Sequence, residues 1–60
     1  MNTEYVKTIE FWHNIYKNEG HEAIENQKDF IDEELLEIGI RPYTECYEFA
    51  YWEITRDDDE

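Results

Sequence analysis

Apolar side chains return every three or four residues along three stretches of this chain, which is the period of an α-helix and not of a strand. In residues 3–18, Tyr5, Ile9, Trp12 and Tyr16 form the stripe, flanked by Val6 and Ile15, with Glu4, Lys7, Glu10, Asn14 and Lys17 off it. In residues 21–38 the stripe is Ala23, Ile24, Phe30, Ile31, Leu35 and Ile38. Wound at about 100° per residue, those six share one broad arc. Glu22, Glu25, Asp29, Asp32 and Glu33 fall on the far side, with Leu36 as an apolar residue among them. In residues 43–56, Tyr43, Cys46, Tyr47, Ala50, Tyr51 and Ile54 fit the same period, opposite Glu45, Glu48 and Glu53. Gly20 and Gly39 stand where helices close through a left-handed residue, and Pro42 lies shortly after the second. The pattern predicts an all-α domain of three helices. The link through Glu19 and Gly20 is short enough to make the first two antiparallel neighbours.

Residue type argues the other way in the terminal segments. Tyr, Phe, Trp, Ile, Val and Thr favour pleated surfaces, and the acidic run 57–60 sits badly at the negative end of a helix. The alternative fold is therefore α+β, with the C-terminal segment, or both terminal segments, as strands packed on the central helix. On the helical reading Phe11, Phe49 and Trp52 point outward. Residues 57–60 are expected to fray.

Sixty residues make one small domain, and 40% hydrophobic and 17% aromatic content is enough to fold it, with a homodimer as the other way to complete the core. Charge narrows the partners. Seventeen Asp and Glu against five Lys and Arg leave a net charge of −12. Nucleic acid and anionic membranes would repel such a chain, whereas a basic protein would attract it. One cysteine, Cys46, precludes an internal disulfide, and the start MNTEYVKTIE lacks the pattern of a signal peptide. No apolar run approaches the roughly 20 residues that span a bilayer. The expected compartment is the cytoplasm of a bacterial cell or a phage-infected host.

Candidate chemistry is thin. The chain contains no serine, and no motif joins Cys46 to His13 or His21 as nucleophile and base. Glu10 and His13 have the i, i+3 spacing of carboxylate–histidine metal helices, and His21 with Glu25 offers an i, i+4 pair. Glu10 and His13 are placed on the polar flank, where such pairs are commonplace. No enzyme activity, metal or cofactor is expected.

The acidic face is the remaining signal. Carboxylates three or four residues apart rise about 4.5–6 Å along a helix, close to the scale of phosphates at about 3.4 Å of axis per strand charge. Lys28 is the one Lys or Arg between His21 and Arg41. A solvated face normally mixes signs, because like charges at i, i+4 destabilise a helix. The expected partner-binding residues are Glu22, Glu25, Asp29, Asp32, Glu33, Leu36 and Glu37, with Phe11, Phe49 and Trp52 as apolar anchors. Glu45, Glu48, Glu53 and the tail would widen the field. In size, charge and fold style the chain resembles the small acidic proteins that bacteriophages and mobile elements use against restriction, CRISPR or repair nucleases. That resemblance implies a nucleic-acid-mimicking inhibitor of a basic nucleic-acid-binding protein or nuclease complex, and it rests on no motif. The alternative is a small regulatory or antitoxin-like protein that binds through the aromatic patch of Phe11, Phe49 and Trp52.

Overall fold

A computed structural model describes residues 3–57 of the chain. It contains four helices: α1 (Thr3–Glu19), α2 (His21–Asn26), α3 (Lys28–Glu37) and α4 (Glu45–Ile54). Among the described residues there is no strand, so the α+β alternative is set aside. None of the helices is long and apolar enough to cross a membrane.

The central helix differs from expectation by one break. Gln27 leaves helical geometry (φ −110°, ψ 22°), and its N–H is shared between the carbonyls of Ala23 at 3.3 Å and Ile24 at 3.2 Å. No glycine or proline marks the place. The tertiary contact that touches the kink is a 3.4 Å hydrogen bond from the Tyr51 hydroxyl to the Lys28 carbonyl. At the other end, α3 closes as the sequence implies. The Ile40 N–H bonds to the Leu35 carbonyl at 2.8 Å and the Gly39 N–H to the Leu36 carbonyl at 3.0 Å. This paired closure needs a left-handed residue, and Gly39 (φ 98°) supplies it.

Cross-chain contacts give the direction of each element. Tyr16 meets His21 edge-on, then Trp12 meets Phe30, so α2 and α3 run back along α1. His13 Nδ1 donates to the Ile54 carbonyl at 2.9 Å and the Tyr16 hydroxyl donates to Asp57 at 3.1 Å, so α4 ascends with α1. Ile9, Trp12, Ile24, Ile31, Leu35, Ala50 and Ile54 meet in the core, with one or more from every helix. Trp12 is its largest member. It is almost fully buried, and its indole N–H reaches the Glu34 carboxylate at 3.3 Å.

Several sequence expectations differ from the structure. Phe30, assigned to the core stripe, is 52% exposed, because its ring lies edge-on to Trp12 at the margin (5.9 Å between centroids) and not beneath it. His13, assigned to the polar flank, is buried, because α4 covers that side of α1 and its Ile54 carbonyl engages the ring. Helix α4 begins at Glu45 and ends at Ile54, inside the expected 43–56. Thr44 is its cap, accepting the Tyr47 N–H at 3.2 Å and donating to the Arg41 carbonyl at 2.7 Å. Tyr43 is outside the helix at φ 64° and 96% exposed. Of the expected tail, Asp57 is held by Tyr16, and residues 58–60 lie outside the described residues.

Two substitutions test this packing in opposite directions. Leu35→Ala should cost about 2–5 kcal/mol, enough to unfold much of a domain this small, whereas Tyr43→Gly should stabilise it by about 0.5–1 kcal/mol by relieving the left-handed backbone. Urea denaturation followed by circular dichroism reads both, and a destabilised Tyr43→Gly would refute the strain assigned to that turn.

Candidate functional site

Helix α3 presents four distinct sides, each set by the helical period. Ile31 and Leu35 face the core. Phe30 and Glu34 face α1, through Trp12. Lys28 and Asp32 face α4, through Tyr47 and Tyr51. Asp29, Glu33, Leu36 and Glu37 occupy the remaining outward side and are exposed. Asp29, Glu33 and Glu37 therefore form a strip at i, i+4 spacing, about 6 Å of rise per step, with Leu36 beside it. On α2, Glu22 is exposed in the first turn.

Two residues leave the expected row. Asp32 turns inward and accepts the Tyr47 hydroxyl at 2.6 Å and the Tyr51 hydroxyl at 2.7 Å, both on Oδ1. Its Oδ2 lies 3.5 Å from the Lys28 ammonium. Asp32 is thus a half-buried joint between α3 and α4 and not part of the outward strip. Glu25 remains exposed but lines a groove between α2 and α4, bonded to His21 Nε2 at 3.2 Å.

Lys28 faces α4 as well, with its side chain 52% exposed. Its ammonium donates to the Tyr47 hydroxyl at 2.7 Å and lies over both tyrosine rings, 5.2 Å from the Tyr47 centroid and 4.7 Å from that of Tyr51. The one Lys or Arg of the segment therefore serves the α3–α4 joint. Burial alone would raise the Asp32 carboxyl, but the two tyrosine hydrogen bonds and the Lys28 charge outweigh it and hold the group below the usual carboxylate range. Burial first, then the bond to Asp32, pushes the Tyr51 phenol well above its ordinary value. The hydrogen bond to Tyr47 raises Lys28, against the opposing effect of its burial and with the charge of Asp32 adding to it.

The outward aromatics are exposed as the period requires, at 55% for Phe11, 53% for Phe49 and 61% for Trp52. They do not form the single patch expected of them. Phe11 packs edge-on to Trp12 at 5.1 Å, in the group that continues to Phe30, whereas Phe49 stacks on Trp52 at 5.8 Å and 19°. Helix periodicity gives the direction of each side chain on its own helix but not which helix lies beside it. Phe30 could not have been found by the same signal, since its position in the stripe points to burial.

Helix α4 is bordered by two concavities. One, of about 550 Å³, is lined by Tyr5, Ile40, Glu45, Cys46 and Phe49. The other, of about 450 Å³, lies between α2 and α4 and includes His21, Glu25, Lys28, Glu48, Tyr51 and Trp52. The Phe49–Trp52 stack is the ridge between them. Among the described residues no group of three or more His, Cys, Asp and Glu side chains converges as metal ligands would.

The tyrosine joint has a pH signature. Asp32 contributes stability above the ordinary carboxylate value of about 4 and loses it as pH falls through its lower folded value; Tyr51 contributes below about 10 and loses it as pH rises through its raised folded value. Tyr5 and Tyr16 are raised as well, so tyrosinate absorbance should run beyond the ordinary phenol range, with its latest component removed by Tyr51→Phe and brought earlier by Asp32→Asn. A latest component that is unchanged in Tyr51→Phe would mean that the joint does not hold in solution.

No family model, curated protein or solved structure matches this chain.

Proposed function

We propose that this protein is a small acidic interaction protein, not an enzyme, that occupies the basic site of a nucleic-acid-binding protein or nuclease complex by presenting charge as a nucleic acid does. The observation that carries the reading is the exposed strip Asp29–Glu33–Glu37 on α3, with the neighbouring cation, Lys28, engaged by Asp32 and Tyr47 on the side that faces α4. A helix that only needed to be solvated could mix signs there at no cost to packing. Glu22, exposed on α2, adds to the acidic surface, and the net charge of −12 supplies long-range steering toward a basic groove. Leu36, exposed beside the strip, offers an apolar contact. The setting that fits is the cytoplasm of a bacterial or phage-infected cell, as an inhibitor of the anti-restriction or anti-CRISPR kind.

A second reading draws on the stacked, exposed Phe49–Trp52 pair. There the protein is a regulatory or antitoxin-like partner held through aromatic burial, with charge secondary.

Affinity capture on the immobilised protein, eluted by salt and by duplex DNA or RNA, separates the two. Mimicry predicts that a captured basic protein is displaced by nucleic acid and weakens by about tenfold or more between roughly 50 and 200 mM salt. Asp29→Lys with Glu33→Lys should abolish capture while the circular dichroism stays helical. Capture that ignores salt and nucleic acid and disappears with Trp52→Ala would establish the second reading instead.

A further inference from the structure

The groove between α2 and α4 has the chemistry of a cation receptor. Trp52 forms a wall, and its indole stacks on Phe49. Glu25 approaches from α2 and Glu48 from α4. Glu48 is exposed and makes no ion pair among the described residues, while Glu25 is bonded to His21 alone. At the Lys28 end of the groove the protein already holds a cation on aromatic faces, since the Lys28 ammonium rests over Tyr51 and Tyr47. That ammonium is satisfied by Asp32 and Tyr47, so the charge left to the groove is that of the two glutamates.

We infer that this groove takes an arginine side chain from the basic partner, the guanidinium lying on the Trp52 indole between Glu25 and Glu48. The inference rests on the reading of the protein as a ligand for a basic partner and names the contact that anchors it. Arginine suits the groove better than lysine. Its flat guanidinium stacks on an indole and sheds water more readily than an ammonium, and it can still donate in its plane to a carboxylate. Trp52 would thus supply selection between cations, while the α3 strip supplies attraction without selection.

An oligoarginine and an oligolysine peptide of equal length are the probes, followed by nitrogen–proton NMR. Two tryptophans give two indole signals, and Trp12, bonded to Glu34 in the core, serves as the internal reference. Oligoarginine should shift the Trp52 indole to saturation, leave Trp12 in place and bind more tightly than oligolysine. Trp52→Ala should weaken oligoarginine by about tenfold and erase the preference. Glu48→Gln, which leaves the indole intact, should weaken it by about two- to fivefold. Unchanged oligoarginine affinity in Trp52→Ala, with shifts confined to Asp29, Glu33 and Glu37, overturns the groove and leaves the strip standing. Absence of binding by either peptide at physiological salt overturns both.

Discussion

Charge is the constraint under which everything else in this molecule is arranged. A core of seven buried apolar residues holds together a chain with twelve uncompensated negative charges. Domains of this length have little stability in reserve, and self-repulsion draws on it. The fold answers by concentrating its polar bonds at the seams between helices. Trp12 to Glu34 closes α1 on α3, His13 to Ile54 closes α1 on α4, and the tyrosine–aspartate joint closes α3 on α4. Each of those bonds is partly or wholly shielded from water, where a hydrogen bond is worth more than at the surface.

The joint between α3 and α4 links stability to surface. By pairing Asp32 with Lys28 beside two tyrosines, it commits one acid and one base of α3 to the side that faces α4. The side of α3 that faces away from the other helices is then acidic apart from Leu36. The electrostatic character of the exposed face is therefore partly a by-product of how α4 is attached. The same attachment sets Tyr51 and Trp52 along a groove opposite Glu25, so that an aromatic wall and two carboxylates border one concavity.

Much of the architecture was legible in the sequence because helical period is a local property. The stripe Tyr5–Ile9–Trp12–Tyr16, the closure at Gly39 and the outward direction of Phe11, Phe49 and Trp52 all follow from residues within a few turns of one another. What escaped is what one helix does to the next. Asp32 reads as one acid among five until Tyr47 and Tyr51 are brought within hydrogen-bond reach. His13 reads as polar flank until α4 lies across it. The kink at Gln27 has no local cause, since neither glycine nor proline is near, and the left-handed Tyr43 runs against residue preference outright. The split of the aromatics into two groups is of the same kind, decided by helix adjacency and not by spacing.

Asp29, Glu33 and Glu37 hold like charge in a row against its own repulsion. The most direct measurement of that repulsion is the melting temperature of Glu33→Lys with Glu37→Lys, which changes the net charge from −12 to −8, two units per reversal. The pair breaks the row of like charges, places a cation at the negative end of α3 and touches no packed side chain. A higher melting temperature than the parent, narrowing as salt is added, is the result expected of an uncompensated strip. A melting temperature that is unchanged or lower would mean that these acids already serve the fold, and the strip would lose its claim to be kept for a partner.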